Sequence, residues 1–399
     1  MRWLKFYLIA CGLVGHLALL ALWLKEPALI YEARQKLQRE LIARGYLPTP
    51  PLADSSEAAV GQQLAQVFLP WQPQPSDAIP QGIWLNGQVV PDLASALAQL
   101  KNGDLLQMGP GIYQQSLLIS ADDVTIEGLG HVIFEKATAD NKGLFVLRGQ
   151  RTTLKNIECR GIQVSDGNGA CVRFEGKDLT LEHVYFHSSQ TGLLETSANA
   201  GRIVIKNSRF AQLGFAGQAH GIYLNSADLL FQHSLMLAAK DAGHGIKSRG
   251  ASTQISNSIL ATLGSDDSRL VDIANGGFLQ ITDSILQEGP NSQNFQLIGF
   301  GLEQLKHPSS QLVLQRNLVI IDRDSAAQLV KTVNNSVQTE INSNVFVGPL
   351  LQDAPDNISF ADRSDAGIAP APALPLTKPI CGSAQTPLPT CPLQAVPSE

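Results

Sequence analysis

The chain offers few aromatic and few charged side chains: aromatic residues fill 6% and charged residues 16% of its 399 positions. It also lacks an excess of positive charge, because 35 aspartates and glutamates outnumber 29 lysines and arginines, for a formal net charge of −6. Proteins that bind nucleic acid generally need a basic surface for the phosphates, so this partner class is excluded as a general function. Any binding of a polyanion would therefore depend on a local cluster of basic side chains.

The 5 cysteines lack the spacing of a metal site. Zinc ligands recur at short fixed intervals, and none is found, so no metal-ligating residues are predicted. Cys159 falls in a regular apolar pattern and is interpreted as a buried apolar residue. Cys381 and Cys391 lie in a Pro- and Ala-rich tail and would close a small loop in an oxidising compartment.

A short apolar strand recurs along the middle of the chain, with a polar or turn-forming residue at its centre. Taking those central residues as markers, the steps between them are 27, 24, 26, 24, 26, 33 and 27 residues; the markers are Asn156, His183, Asn207, His233, Asn257, Asp283, Arg316 and Ser343. The positions two before and three after every marker are apolar, although the chain is only 44% apolar overall. This pattern predicts like residues stacked strand on strand, with the markers at bends.

The phrase His-Gly-Ile repeats at the same distance, at His220 and again at His244. Two copies one period apart indicate neighbouring coils of a solenoid, with their polar side chains one above the other. The predicted fold is therefore all-β, a right-handed parallel β-helix over residues 81–347. A short helix from Asp92 to Leu100 and the following strands are typical of the cap that covers the open end of such a solenoid.

An apolar run from Phe6 to Leu24 is long enough to cross a bilayer as a helix, so residues 1–25 are predicted to be an uncleaved transmembrane anchor. A cleaved signal peptide is the alternative, but no small-residue cleavage site follows the run. The run continues past Cys11, unlike a lipoprotein signal that ends at its cysteine. Residues 26–80, with helical patterns and a Pro-rich end, are interpreted as a stalk, and residues 348–399 as a tail.

The compartment follows less directly from the sequence. More lysines and arginines follow the apolar run than precede it, which opposes a simple orientation with the N-terminus in the cytoplasm. β-Helices of this kind usually act on polysaccharide outside the cytoplasm, and a short N-terminal tail is easily retained inside. We expect a single-pass protein of the inner membrane with its β-helix in the periplasm.

Counting back from the marker strands predicts which side chains point outward on one face. Tyr223 and Lys247 fall in one outward row with Arg173 and Ser197, and Asn225, Arg249 and Asn275 fall in the next. His220 and His244 precede the same two strands. A solvated face with ordinary polar ladders is the alternative, but so many groups that transfer protons or bind carboxylates on adjacent coils favour a functional site.

The sequence leaves two positions open for the side chain of Asp272. By the same count it falls in the inward column of Ile246. A one-residue shift in the turn at Asn275-Gly276-Gly277 would instead place it beside Lys247, where it would orient the lysine or bind a cation.

These residue types suit the chemistry of uronic acids. β-Elimination requires the sugar carboxylate to be neutralised, for which the fork of Arg249 is suited, and a base for the proton at C5. Lys247, His220 or His244 would serve as that base, and Tyr223 would return a proton to the leaving oxygen. Hydrolysis would need two flanking carboxylates, and that arrangement is less evident in the sequence.

The motifs HGIYLN, GHGIKSRG and VDIANGG resemble those of a widespread bacterial family of right-handed parallel β-helix proteins in the pectin-lyase-like superfamily. The resemblance covers about Gly82 to Phe346 and implies a carbohydrate-related role. Gly243-His244-Gly245 resembles polygalacturonases, but their Asn-Thr-Asp motif is absent. The Asp-Pro-His-Asp motif of mannuronan C5-epimerases is also missing.

The sequence thus predicts a membrane-anchored periplasmic protein that acts on an acidic polysaccharide, by β-elimination or C5-epimerisation of uronates. A non-catalytic polysaccharide-binding protein is the alternative, although its exposed aromatics would be few, and a glycoside hydrolase is third. The predicted catalytic residues are His220, Tyr223, His244, Lys247 and Arg249, and the predicted substrate-binding residues are Arg173, Asn225, Asp272 and Asn275. No cofactor is required by the sequence, and Ca²⁺ is compatible with such a site.

Overall fold

The computed structural model describes residues 46, 55–74, 81–334, 337–351 and 355–375. The predicted anchor at 1–25, most of the predicted stalk, and the cysteines Cys381 and Cys391 lie outside these residues and remain predictions. Within the described ranges, no helix has the length and apolar composition needed to cross a membrane.

Three long sheets run side by side along the chain, and successive coils add one strand to each. The first sheet has 12 strands. They are β1 (Ile83–Leu85), β2 (Gln88–Val90), β3 (Leu105–Met108), β6 (Thr125–Gly128), β9 (Gln150–Lys155), β12 (Lys177–Glu182), β15 (Arg202–Lys206), β18 (Asp228–Gln232), β21 (Ser252–Ser256), β24 (Phe278–Thr282), β27 (Gln311–Gln315) and β30 (Gln338–Asn342).

The second sheet has 11 strands and follows the first across each bend. They are β4 (Gly111–Tyr113), β7 (Val132–Glu135), β10 (Glu158–Arg160), β13 (Tyr185–His187), β16 (Arg209–Ala211), β19 (Leu235–Leu237), β22 (Ile259–Ala261), β25 (Ile285–Glu288), β28 (Leu318–Ile321), β31 (Val345–Val347) and β32 (Ile358–Phe360).

The third sheet has 9 strands and is called the site sheet below. They are β5 (Leu117–Ile119), β8 (Gly143–Leu147), β11 (Ala170–Phe174), β14 (Thr191–Glu195), β17 (Ile222–Leu224), β20 (Ile246–Ser248), β23 (Val271–Ile273), β26 (Gln296–Phe300) and β29 (Gln328–Thr332). Apart from the two pairings that β1 makes, all the strand pairings are parallel, which confirms the parallel β-helix.

The bend between the first and second sheets lies at the marker residues. All 8 markers have a positive φ, from 47° at His233 to 58° at Ser343. An L-residue rarely adopts this left-handed conformation, and asparagine adopts it more readily than most because its short side chain tolerates it. The sequence prediction that the markers form bends is therefore confirmed.

A ladder of hydrogen bonds follows the markers through the coils. The amide of Ser208 donates to the hydroxyl of Ser234, that of Ser234 to Ser258, and that of Ser258 to Ser284, each at 3.1 Å. The amide of Ser284 continues to the side chain of Asn317. Because every amide in this buried column has a partner on the next coil, the ladder fixes the register of the coils.

The interior is filled by the predicted apolar columns. The rings of Phe186 and Phe210 on adjacent coils meet edge to face at 5.5 Å. Cys159 is fully buried, as expected, but it is not a free apolar residue: it forms a disulfide with Cys171 of β11, with the two Cα atoms 5.9 Å apart. The two cysteines lie on strands of different sheets, and their side chains meet in the interior.

The N-terminal end of the solenoid is covered as predicted. Helix α2 (Leu93–Gln99) begins at Asp92, whose side chain accepts a hydrogen bond from the amide of Ser95 at 2.7 Å. The helix buries Leu93 and Ala96 over the core. The antiparallel pair β1 and β2 lies beside β3 and covers the edge of the first sheet.

Helix α1 (Glu57–Val67) lies in a segment that the sequence analysis interprets as part of a stalk. In the structure it lies against the outer face of the second sheet, where Val67 and Phe68 pack with Leu235 and Ile259. The outward residues of that sheet are apolar on these coils, so the sheet needs a cover. For residues 55–74 the structure thus shows a segment docked on the β-helix and not one that extends away from it.

Candidate functional site

Three predicted site residues occupy neighbouring rungs of one outward row on the site sheet. Tyr223 of β17 pairs with Lys247 of β20, and Lys247 pairs with Asp272 of β23. The row thus contains Asp272 beside Lys247, as the shifted register predicts. The shift is accommodated after the strand, where Gly276 and Gly277 both adopt a positive φ, of 73° and 98°.

Arg249 comes directly after the strand that contains Lys247, and its side chain contacts a residue of a neighbouring loop. Its Nε and Nη2 donate to the two carboxylate oxygens of Glu303, each at 2.8 Å. Its Nη1 donates to the hydroxyl of Tyr223. Lys247 Nζ lies 2.9 Å from the same Glu303 carboxylate, so two cations hold one carboxylate. Such a planar two-point contact is the geometry in which an arginine binds a carboxylate best.

These contacts favour the charged forms of Arg249 and Glu303. Hydrogen bonding from Arg249, followed by the contact with Lys247, lowers the pKa of Glu303 to about 2. Burial alone would lower the pKa of Arg249, but its hydrogen bonds to Glu303 and Tyr223 outweigh burial and raise it. The guanidinium and the carboxylate are therefore both charged across the physiological pH range.

Glu303 lies on a loop formed by residues 301–310, between β26 and β27. The amide of Glu303 donates to the carbonyl of Ala274 at 3.1 Å, and the amide of Lys306 donates to the carbonyl of Asn275 at 2.9 Å. Leu302 reaches over Gly299, the next position of the outward row after Asp272. The loop therefore covers the position that follows Asp272 in the outward row.

The sequence analysis did not select Glu303 as a site residue. One signal was available: the step from Asp283 to Arg316 is 33 residues, longer than any other step between markers. An insertion in an otherwise regular coil forms a loop at the surface, and such loops often contribute functional side chains.

The two histidines lie beneath this surface and do not line it. His220 is 2% and His244 8% exposed, and their rings lie on adjacent coils, tilted by 32° with centroids 4.9 Å apart. The amide of His244 donates to Nδ1 of His220 at 3.0 Å. Burial, followed by the charges of Lys247 and Arg249, lowers the pKa of His220 to about 3.

His244 is neutral for a similar reason, since burial lowers its pKa well below the ordinary value. Both rings are therefore neutral and almost fully buried, and His220 meets the Tyr223 ring edge to face at 4.9 Å. That either histidine removes a proton from substrate stays a prediction.

Asp272 is 4% exposed and lies near two cations and the neutral ring of His244. Its carboxylate lies 3.6 Å from Lys247 Nζ, 3.7 Å from His244 Nε2 and 4.0 Å from Arg269 Nη1. Burial raises its pKa in spite of these neighbours. Its Oδ1 is buried without a hydrogen-bond partner among the described residues. The carboxylate of Asp272 therefore interacts with Lys247 and Arg269 mainly through charge.

The remaining predicted substrate-binding residues lie elsewhere. Arg173 is in the outward row but three rungs from Lys247, with Leu194 and not Ser197 on the next rung. Its Nε lies 3.5 Å from Glu175.

Asn225 and Asn275 have structural contacts. The amide of Asn225 donates to Glu195, and its side chain donates to the carbonyl of Ser197, as in a turn. Asn275 is buried and anchors the loop at residues 301–310 through its carbonyl. Across the described part of the chain, no group of three or more His, Cys, Asp or Glu side chains is arranged to hold a metal ion.

The three sheets, with a polar cluster on the outer face of one of them, define the fold as a parallel β-helix. No family model and no curated protein matches the chain. It is similar to the crystal structure of an alginate lyase from Paenibacillus sp. strain FPU-7, with 16% identity and a TM-score of 0.48 over 65% of this chain and 95% of that one.

Two further structures are also similar. Pectate lyase Pel9A has 15% identity and a TM-score of 0.45 over 70% of this chain and 76% of that one. Pectin methylesterase PemA from Erwinia chrysanthemi has 12% identity and a TM-score of 0.34 over 71% and 92%. At such low identity these likenesses concern the fold alone, so the function must be argued from the site.

Proposed function

We propose that this protein acts on an acidic polysaccharide and cleaves it by β-elimination at a uronate residue. One observation carries the proposal: Arg249 and Lys247 together hold a carboxylate, and the same arginine donates to the hydroxyl of Tyr223. A carboxylate site beside a group that transfers protons is what elimination from a uronate requires.

The first contribution of the site is electrostatic. A uronate bound in the place of the Glu303 side chain would have its carboxylate neutralised by the guanidinium of Arg249 and the ammonium of Lys247. Neutralisation makes the adjacent C5–H more acidic, because negative charge that develops at C5 is delocalised into the carboxyl group. Lys247 is thus assigned to charge stabilisation, since its ammonium forms ion pairs with Asp272 and Glu303.

Tyr223 is assigned the proton transfers. As a phenolate it takes the proton from C5, the C–H electrons form the C4–C5 double bond, and the C4–O bond to the next sugar breaks. The phenol then returns the proton to the leaving oxygen, so Tyr223 ends in its starting form. Arg249 donates a hydrogen bond to its oxygen and thereby holds that oxygen in position for both transfers.

C5-epimerisation is the alternative reaction at the same site. It shares the neutralised carboxylate and the loss of the C5 proton, but it needs a second donor that returns a proton to the opposite face of the sugar. Elimination can use one group for both transfers, and Tyr223 is placed as such a group. Elimination is therefore the function that the geometry supports best.

Hydrolysis is a second candidate because of one specific observation. Asp272 and Glu303 both contact Lys247 Nζ, and their environments shift their pKa values in opposite directions. A carboxyl group with a raised pKa near one with a lowered pKa is the pairing that glycoside hydrolases use. Against this candidate, Asp272 is buried below Lys247, where a glycosidic oxygen would not reach it.

The location of the protein is part of the proposal. We place the β-helix in the periplasm, anchored to the inner membrane through the apolar run at 1–25. The disulfide between Cys159 and Cys171 supports an oxidising compartment, because such bonds are rare in the cytosol.

The test is an assay of products from alginate, pectate and glycosaminoglycans incubated with the full-length protein. Elimination produces a conjugated, unsaturated uronate that absorbs in the ultraviolet. Lys247→Ala and Arg249→Ala should abolish that signal, and Arg151→Ala, at an exposed arginine paired with Asp123, is the matched control that should retain it.

New reducing ends without ultraviolet absorbance would instead indicate hydrolysis. Exchange of the C5 proton with solvent without chain cleavage would indicate epimerisation. Binding that Arg249→Ala weakens, with no reaction on any polymer, would indicate a non-catalytic binding protein.

A further inference from the structure

The carboxylate site described above is filled by the protein's own side chain. Both oxygens of Glu303 contact the guanidinium of Arg249, and one also contacts Lys247. Arg249 Nε and Nη2 and Lys247 Nζ are therefore already occupied by a carboxylate. A uronate carboxylate needs the same donors in the same planar arrangement. Substrate and Glu303 therefore cannot bind there together.

The contact differs from a structural ion pair in its exposure. The Glu303 side chain is 41% exposed, whereas Lys247 is 14% and Arg249 21% exposed. The cations are fixed in the wall of the site, and the carboxylate that they bind comes from the solvent side.

The loop backbone does not have to move for Glu303 to leave. The amides of Glu303 and Lys306 are hydrogen-bonded to the carbonyls of Ala274 and Asn275, which hold the loop on the sheet. Rotation of one side chain about its own bonds would vacate the site, and such rotations of exposed side chains are fast.

We propose that Glu303 occupies the place of the substrate's carboxylate and is displaced by it, which makes Glu303 a specificity-determining residue for free uronates. This inference rests on the proposed function, since it assigns the substrate group that Arg249 and Lys247 bind. An exchange of one carboxylate for another retains every charge-assisted hydrogen bond. A neutral or esterified sugar would break these bonds without replacing them, so it is rejected.

The proposal predicts the opposite of the usual effect of a mutation in a binding site. A site occupied most of the time by an internal competitor shows an apparent affinity reduced by the vacant fraction. Removing the competitor should therefore strengthen binding. If Glu303 instead served to position Arg249 and Lys247, its removal would weaken binding.

The experiment is calorimetry on the full-length protein with saturated trisaccharides prepared from alginate and from pectate. Wild type is compared with Glu303→Ala, with the isosteric Glu303→Gln, and with Glu340→Ala. Glu340 is an exposed residue of β30 that contacts Gln315 and Asn342, so its variant makes the same change in net charge away from the site. We expect both Glu303 variants to bind a trisaccharide on the order of tenfold more tightly than wild type, and Glu340→Ala to match wild type.

Equal or weaker binding by both Glu303 variants, with wild type still binding, would overturn the inference and leave the proposed function intact. If no trisaccharide binds to any variant, the proposed function fails, and acetate decides the inference. Acetate should then raise the thermal unfolding midpoint of Glu303→Ala more than that of wild type, because a free carboxylate fills the vacated place. An equal effect of acetate on both proteins would overturn the inference.

Discussion

Arg249 and Glu303 form a two-point contact between a guanidinium and a carboxylate, with both distances 2.8 Å, although 54 residues separate them in sequence. One partner follows a strand of the regular solenoid and the other belongs to an inserted loop. The contact is the basis of the proposal that the site binds a uronate, because the carboxylate of a uronate has the same shape and charge.

Tyr223→Phe should abolish most of the elimination activity while leaving substrate binding intact. The hydroxyl receives a hydrogen bond from Arg249 and is the group assigned to both proton transfers. Loss of a general acid–base group typically lowers kcat by about 10² to 10⁴. Steady-state kinetics should show a kcat decrease of this order with KM nearly unchanged; a change in KM alone would assign Tyr223 to binding.

Arg249→Lys should retain the positive charge but lose most of the activity. A lysine provides one point of contact and cannot bind both oxygens of a carboxylate in its plane while also donating to Tyr223. We expect kcat/KM to fall by about 10² or more, as when a preorganised donor is removed from an active site. Activity close to that of wild type would show that charge alone is sufficient.

Stability should depend on pH through Asp267, a carboxyl that is not part of the site. It is 1% exposed, hydrogen-bonded by the hydroxyls of Ser292 and Thr262, and burial raises its pKa to about 7. The folded chain therefore binds a proton that the unfolded chain has lost between about pH 4 and 7. This stabilising contribution is complete below about pH 4 and is lost as the pH rises through 7.

Asp267→Asn should remove that dependence, because the amide stays neutral. Thermal unfolding followed from pH 5 to pH 9 should show a midpoint that falls more steeply for wild type than for the variant. Parallel curves for the two proteins would show that Asp267 is ionised in the folded state at all of these pH values.

The bend at Asn257, where φ is 49°, should accept glycine and reject a β-branched residue. Asn257→Gly should change the thermal midpoint little, since glycine adopts positive φ readily. Asn257→Val should destabilise the fold by about 1 to 2 kcal/mol, because its side chain opposes the left-handed conformation. Equal midpoints for the two variants would contradict the role assigned to the markers.

Reduction of the disulfide between Cys159 and Cys171 should lower stability without changing the fold. The bond closes a loop with a sequence separation of 12, and loops of about this size contribute about 3 kcal/mol through the unfolded state. Cys159→Ala/Cys171→Ala should unfold at a lower temperature than the oxidised wild type and should match it in circular dichroism. A midpoint unaffected by the double substitution would show that the bond contributes nothing to stability.

Much of the fold follows from the sequence because a solenoid repeats its pattern locally. Each coil contributes the same apolar columns and the same bend, so markers such as Asn156 and Ser343 define the coils without knowledge of distant contacts. The row Tyr223, Lys247 and Asp272 follows from the same register, with the turn at Gly276 deciding the position of the last member.

The rest depends on contacts that a repeat does not encode. Glu303 reaches Arg249 from an inserted loop, and Cys171 meets Cys159 from another sheet. The burial of His220 and His244 depends on where the chain turns into β17 and β20, which the repeat spacing does not determine. Helix α1 docks because the outer face of the second sheet is apolar, a property that appears only when the strands are assembled.

The measurement that tests the account most directly is a crystal structure of Tyr223→Phe soaked with a uronate trisaccharide. We expect one sugar carboxylate on Arg249 and Lys247, in the place of the Glu303 side chain, which should have turned toward solvent. The C5 proton of that sugar should face residue 223. A trisaccharide bound elsewhere on the solenoid, with the pair between Arg249 and Glu303 intact, would contradict both the assigned site and its chemistry.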